Sequence, residues 1–162
     1  RLWDYELIEI TLREKEREGE IVLSGEMLKQ ISDGADWGSS LTRMKSALSL
    51  PVFETVLSED KSTTLHCLLY MPDPAVFGPG PYPTVMAVYG GPQIQRVLNM
   101  WANRADLRSQ KMRQNGICVI KCDNRGSSRR GLKFEGAMKW DMGNIEVQDQ
   151  ASAVKHFSAK GV

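Results

Sequence analysis

The sequence has 162 residues, which is enough for one domain with its own hydrophobic core. Hydrophobic residues make up 41% of it, charged residues 25%, and its formal net charge is +1. These ordinary values argue against binding to nucleic acid or to a membrane surface through bulk charge. The long uncharged run between Asp73 and Arg96 is interrupted by prolines and glycines, so it cannot form a membrane-spanning helix.

The first part of the chain shows the patterns of strands and turns. WDYELIEITL, the charged run REKEREGE and IVLS predict a strand, a solvated turn and a second strand. Residues 25–50 show no steady period and are predicted to form a linker, with at most a short helix near 41–49. PVFETVLSEDKSTTLHCLLYMP then predicts a second hairpin, with strands at 52–57 and 64–71.

Beyond the Pro-rich loop DPAVFGPGPYP the pattern changes to alternating strands and helices. TVMAVY is a near-continuous apolar run, typical of a strand in a sheet that is covered on both faces. A helix is predicted from Trp101 to Gln114, ended by Asn115 and Gly116, and ICVIKCD after it is another buried strand. A strand, a helix and a strand in this order predict a right-handed parallel crossover.

A final helix is predicted to follow Asn144, whose side chain is expected to cap it. Apolar residues recur along this helix at spacings of four, three and three, which predicts one buried face. They are Val147, Ala151, Val154 and Phe157.

Two polar loops follow the predicted parallel strands, where ligands gather in an open parallel sheet. In YGGP, Gly90 and Gly91 are predicted to form a tight turn that needs positive φ. Tyr89 is either a buried aromatic residue at the strand end or a residue that serves the site. In DNRG, Arg125 is predicted to pair with nearby carboxylates or loop carbonyls and hold the loop, with substrate recognition as the alternative.

Several familiar catalytic motifs are missing from the sequence. GSSRRG resembles a nucleophile elbow, but Arg130 stands where G-x-S-x-G requires glycine, and no such motif occurs elsewhere. Neither G-x-G-x-x-G nor G-x-x-x-x-G-K-[ST] is present, so no nucleotide cofactor is predicted. His66 and His156 are predicted to be structural or solvated.

The remaining reactive side chains are also given structural roles. Cys67, Cys118 and Cys122 lack the spacing of a zinc site and are predicted to be buried free thiols in a reducing compartment, so no metal is expected. Glu146 and Asp149 lie in the first turns of the final helix, where carboxylates suit the helix dipole. A pair of carboxylates for acid and base catalysis is not indicated.

Three stretches, in order and spacing, resemble a known family. PYPTVMAVYGGPQIQ, CDNRGSSRRGLKFEGA and MGNIEVQDQ are similar to the start of the catalytic domain of prolyl oligopeptidase-type (S9) serine peptidases. The likeness is greatest to the dipeptidyl peptidase IV group and, within it, to the cytosolic dipeptidyl peptidase 8 and 9 branch. It covers about residues 82–157 and extends more weakly over 52–72.

The resemblance implies an α/β fold class and a domain organisation. It implies the N-terminal half of an α/β-hydrolase domain, with a mostly parallel sheet and right-handed crossovers, preceded by a β-hairpin from the end of a β-propeller. On this interpretation residues 1–24 are the propeller tail, 25–50 the linker, and 51–162 the first part of the catalytic domain, truncated before the nucleophile elbow.

The resemblance also implies an activity. The full-length protein is expected to cleave N-terminal Xaa-Pro and Xaa-Ala dipeptides from peptides with a Ser, Asp, His triad. Tyr89 matches the tyrosine whose hydroxyl donates to the oxyanion in this group, whereas the nucleophile, acid and base are absent from this sequence. We therefore expect this chain alone to be inactive.

The same resemblance gives expectations for partners and location. The expected partner is a peptide with a penultimate Pro or Ala, without a cofactor, nucleic acid or membrane, and a homodimer is left open. The expected location is cytoplasmic. Two other functions remain as alternatives: a non-catalytic hydrolase-like module for binding or dimerisation, and an acylaminoacyl peptidase or esterase relative.

Overall fold

The computed structural model describes the backbone of residues 6–14 and 21–30, and residues 48–162 with their side chains. The chain divides into two compact units, Arg1–Ala47 and Leu48–Val162. Among the described residues, no helix is long and apolar enough to cross a membrane.

The first unit contains an antiparallel hairpin, as predicted. Its strands are β1 (Glu6–Glu14) and β2 (Ile21–Gln30), with a register irregularity between Leu7 and Ile8. β2 continues past the predicted boundary at residue 24, and its pairing with β1 extends to Gln30. Apolar and polar residues do not alternate over 25–30, so the sequence pattern did not predict this extension. Most of the short helix predicted near 41–49 lies outside the described residues.

The second unit contains the sheet and all the described helices. Its elements are β3 (Val52–Leu57), β4 (Thr64–Tyr70), α1 (Pro74–Phe77), β5 (Thr84–Met86), α2 (Trp101–Arg104), α3 (Leu107–Gln114), β6 (Cys118–Asp123), α4 (Leu132–Glu135), a 3-10 turn (Gly136–Met138) and α5 (Ile145–Ala159).

The four-stranded sheet of this unit has the order β3-β4-β6-β5 and is mixed. β5 and β6 are parallel, which confirms the parallel pairing predicted for the crossover. The prediction of a mostly parallel sheet is wrong for the described strands, since β3 with β4 and β4 with β6 are antiparallel. A short turn joins β3 to β4, so these two strands must run in opposite directions. The α/β fold class is confirmed.

The core lies on both faces of β6, whose residues are all buried. Alternate residues of β4 and β6 point to opposite faces, one packed with Phe157 of α5 and the other with Met112 of α3. Cys67, Cys118 and Cys122 are buried free thiols, as predicted. Burial raises the pKa of the Cys118 thiol to about 11, so this thiol stays protonated at neutral pH.

β5 is shorter than the strand predicted from TVMAVY. Its last ladder bond runs from the Ala87 amide to the Ile120 carbonyl, at 2.8 Å, and the chain then leaves the sheet. Val88 and Tyr89 are each 49% exposed. The apolar run is therefore not buried on both faces. β5 lies at the edge of the described sheet and pairs with β6 alone among the described strands.

The helix predicted between residues 101 and 114 is divided into α2 and α3. Asp106 lies at the break, where its carboxylate accepts hydrogen bonds from the Ser109 amide and hydroxyl and caps α3. The same carboxylate forms a 2.6 Å ion pair with the buried Lys121 ammonium. A buried lysine needs this partner, and no local pattern predicts the pairing. The predicted helix end at Asn115 and Gly116 is confirmed.

α5 begins after Asn144, as predicted, but the Asn144 amide donates to the Asp141 carboxylate and does not cap the helix. The predicted apolar face is wrong, since Val147 and Val154 are exposed and only Phe157 of the four is fully buried. The buried face is largely polar, because several of its side chains bond to the loop after β6. Its residues are Asp149, Gln150, Ser152, Ala153 and Phe157.

Candidate active site

Two loops meet at the edge of the sheet where the parallel strands β5 and β6 end. We call them the YGGP loop (residues 88–97) and the DNRG loop (residues 123–127). The Gln93 amide donates to the Gly126 carbonyl at 3.0 Å, and the Asn124 side-chain amide donates to the Gly90 carbonyl at 3.2 Å. The two loops that the sequence singled out therefore form one surface.

Asp123, the last residue of β6, fixes the far end of the YGGP loop. Its carboxylate accepts hydrogen bonds from the amides of Arg96, at 2.7 Å, and Val97, at 3.1 Å. Burial raises the pKa of Asp123 above its ordinary value, while these two amides favour the charged form. The backbone of the loop is thus held at its end by a buried side chain.

Tyr89 is presented to solvent at the start of this loop. Its side chain is half-exposed, so the alternative of a buried aromatic residue at the strand end is wrong. The hydroxyl of Tyr89 makes no hydrogen bond within the part of the chain that the structure describes. A donor in this position is available to a ligand.

The two glycines after Tyr89 serve different purposes. Gly90 has φ of 79°, a conformation that favours glycine, as predicted. Gly91 does not have positive φ, contrary to the expectation for both residues. A Cβ on Gly91 would lie 3.1 Å from Cε1 of Tyr89, so the missing side chain leaves room for the tyrosine ring.

Arg125 is buried and paired on both sides of its guanidinium. Its Nε and Nη2 donate to the Asp149 carboxylate, with the shortest distance 2.7 Å, and its own amide also donates to this carboxylate at 2.8 Å. Nη1 forms a 2.8 Å ion pair with Asp60. These contacts support the predicted role in holding the loop. They favour this role over substrate recognition, since three of the five guanidinium N–H groups are already donated to carboxylates.

The turn between β3 and β4 supplies the second carboxylate. Asp60 accepts hydrogen bonds from the Ser58 hydroxyl and from the amide and hydroxyl of Ser62. These donors, together with Arg125, hold the pKa of Asp60 well below its ordinary value. The turn, the DNRG loop and α5 are therefore joined through one arginine.

Two residues that hold the loops together were not predicted from the sequence. Asn124 and Gln150 are both buried, and the Gln150 amide donates to the Asn124 side-chain carbonyl at 2.9 Å. Asn124 is adjacent to the arginine of DNRG, but nothing in the residue pattern shows which neighbours its amide meets. Gln150 lies on the polar buried face of α5.

The other sequence candidates do not form a catalytic pair. His66 lies on β4 and lines a cavity of about 430 Å³ with Phe53 and Val97, and burial lowers its pKa. The His156 ring packs edge-on against Phe157. Among residues with described side chains, no serine or cysteine bonds to a histidine, and no group of three or more His, Cys, Asp or Glu could hold a metal.

Comparisons with known proteins confirm the resemblance found in the sequence. Residues 103–162 match the model of the prolyl oligopeptidase family, peptidase S9. Dipeptidyl peptidase 8 of Homo sapiens is 40% identical over 123 residues, which is 74% of this chain and 14% of that protein. Prolyl endopeptidase FAP of Mus musculus is 31% identical over 114 residues, 70% of this chain and 15% of that protein.

The comparison of structures agrees. A crystal structure described as that of a dipeptidyl aminopeptidase IV from Bacteroides ovatus has a TM-score of 0.59 and 37% sequence identity to this chain. The match covers 68% of this chain and 16% of the other. The chain therefore spans only a small part of the length of the relatives that it matches.

Proposed function

We infer that this chain, whose residues 103–162 match the prolyl oligopeptidase family, is part of a serine-type dipeptidyl peptidase. The full-length protein would remove Xaa-Pro or Xaa-Ala dipeptides from the N-termini of peptides. The similarity to dipeptidyl peptidase 8 and to the dipeptidyl aminopeptidase IV structure supports this proposal over a non-catalytic module or an acylaminoacyl peptidase.

The observation that carries the proposal is the placement of Tyr89. Its hydroxyl is half-exposed, at the carboxyl end of a parallel strand, on a loop that the DNRG loop holds at several points. Ligands bind at this edge of open α/β sheets. A rigid loop that presents one free donor suits the stabilisation of a developing oxyanion.

In the proposed reaction a serine hydroxyl attacks the carbonyl carbon of the second residue of the peptide. The proton of the serine passes to a histidine, and the carbonyl oxygen becomes an oxyanion to which the Tyr89 hydroxyl donates. Collapse of the intermediate breaks the peptide bond, the amine leaves with the proton, and water then hydrolyses the acyl-enzyme. The serine and its motif are not among the 162 residues, so this chain alone would be inactive.

The finer organisation is part of the same proposal. Residues 1–24 would belong to the end of a β-propeller and 51–162 to the first part of an α/β-hydrolase domain. The division of the structure between Ala47 and Leu48 supports a boundary close to residue 50. A cytoplasmic location is proposed with it, a homodimer stays open, and no nucleic acid or membrane is expected to take part.

A pair of substrates tests the function. The full-length protein should release p-nitroaniline from Gly-Pro-p-nitroanilide, and acetylation of the glycine amine should abolish this release. Preference for the acetylated substrate would identify an endopeptidase that cleaves after proline instead. Release of p-nitroaniline from acetyl-alanine-p-nitroanilide alone would identify an acylaminoacyl peptidase, which removes a single acylated residue. Hydrolysis of none of these substrates would contradict the enzyme and favour the binding module.

A further inference from the structure

Asn124 connects the core of the domain to the YGGP loop. Its side chain is only 2% exposed. Its Nδ2 donates to the Gly90 carbonyl at 3.2 Å and to the Arg125 carbonyl at 2.7 Å, so both amide hydrogens are used. One of the two therefore holds the peptide unit that follows Gly90.

Gln150 fixes the direction in which the Asn124 amide points. Its Nε2 donates to Oδ1 of Asn124 at 2.9 Å and to the Cys122 carbonyl at 3.0 Å. Because both hydrogens of this amide are donated, Asn124 must turn its oxygen toward α5 and its nitrogen toward Gly90. α5 thus determines that the side-chain nitrogen of Asn124, and not its oxygen, faces the Gly90 carbonyl.

The bond to Gly90 leaves little freedom at Tyr89. On one side the Ala87 amide is bound to the Ile120 carbonyl of β6, and on the other the Gly90 carbonyl is bound to Asn124. Only Val88 and Tyr89 lie between these two anchors. Without the second anchor, the backbone at Gly90 is free to rotate. The next hydrogen bond that holds the loop is then the one from the Gln93 amide to the Gly126 carbonyl.

We propose that Asn124, oriented by Gln150, is a positioning residue that acts through Tyr89: its bond to the Gly90 carbonyl holds the tyrosine hydroxyl where the oxyanion forms. This inference rests on the proposed role of Tyr89. Asn124 itself does not contact the reacting atoms. A displacement of about 1 Å in a catalytic group can cost on the order of 100-fold in rate, so a single hydrogen bond can matter here.

A double-mutant cycle in the full-length protein tests the inference with Gly-Pro-p-nitroanilide as substrate. Asn124→Ala should lower kcat by roughly 10- to 100-fold with little change in KM, because the oxyanion contact is made in the transition state. In a Tyr89→Phe background the same substitution should have almost no further effect, since the hydroxyl that it positions is gone.

A second pair of variants guards against a failure to fold. Asn124→Asp keeps the size of the side chain but turns an oxygen toward the Gly90 carbonyl, and Gln150→Glu does the same toward Asn124. Both should lower kcat, as Asn124→Ala does. Gln148→Ala, an exposed position on the same helix, is the matched control and should leave kcat unchanged.

The outcomes separate this inference from the function on which it rests. If Tyr89→Phe lowers kcat while the Asn124 and Gln150 variants do not, the positioning role is wrong and the oxyanion role stands. An equal loss from Asn124→Ala in both backgrounds would also overturn it, since the residue would then act independently of Tyr89. If Tyr89→Phe has no effect, both proposals are contradicted.

Discussion

Replacing Tyr89 by Phe in the full-length protein should lower kcat by about 10²- to 10³-fold, the usual result of removing one oxyanion donor. The ring is retained in the space beside Gly91, so the loop should keep its conformation. KM should change little, because the lost hydrogen bond strengthens only when negative charge develops on the substrate oxygen. Steady-state kinetics with Gly-Pro-p-nitroanilide measures both parameters.

Tyr82 provides a matched control for this substitution. It lies just before β5, at the opposite end of the strand from Tyr89, and its hydroxyl donates to the Gly78 carbonyl. Tyr82→Phe removes a hydroxyl in the same way but away from the candidate site, so kcat should stay as it was. Equal losses in the two variants would show that Tyr89 acts through stability of the fold.

Replacing Asp149 by Ala should destabilise the domain by about 3–5 kcal/mol, the usual cost of breaking a buried ion pair from one side. Asp149 is 0% exposed and accepts hydrogen bonds from both the side chain and the amide of Arg125. Without it the arginine keeps only Asp60, whose side chain is 53% exposed. A largely unpaired charge would then stay beneath the DNRG loop.

Hydrogen exchange in increasing urea, followed on peptides from β6 and α5 of the full-length protein, measures this loss where it occurs. Gln148→Ala on the same helix should change the unfolding free energy by less than about 0.5 kcal/mol. Replacing both Arg125 and Asp149 by Leu should recover much of the stability, since no buried charge is then left unpaired and Asp60, which loses Arg125, is largely exposed. A loss in Asp149→Ala no larger than in the Gln148 control would contradict the structural role of the pair.

Apolar periodicity and turn residues predicted much of this fold. The hairpin of β3 and β4, the buried β6, the helix stop at Gly116 and the start of α5 follow from patterns that each segment shows by itself. Two of the predictions that failed depended on neighbours elsewhere in the chain. β5 pairs with β6 alone among the described strands and is partly exposed, and the helix predicted from Trp101 breaks where Asp106 meets Lys121.

The same distinction between local patterns and distant contacts applies to the candidate site. The sequence and its family resemblance drew attention to Tyr89 and Arg125, because both follow predicted strands at the edge where ligands bind. Asn124, Gln150 and Asp149 could not be given their contacts in this way, since a polar residue in a loop or a helix gives no sign that it is buried. Their partners lie 24 or more residues away and are known only once α5 packs against β6.

Labelling with a fluorophosphonate probe determines whether this chain is part of a serine peptidase whose nucleophile lies outside the 162 residues. The full-length protein should become labelled on a serine beyond this sequence, and the 162-residue chain should not label under the same conditions. A full-length protein that fails to label, or a label on a serine within these 162 residues, would contradict this assignment.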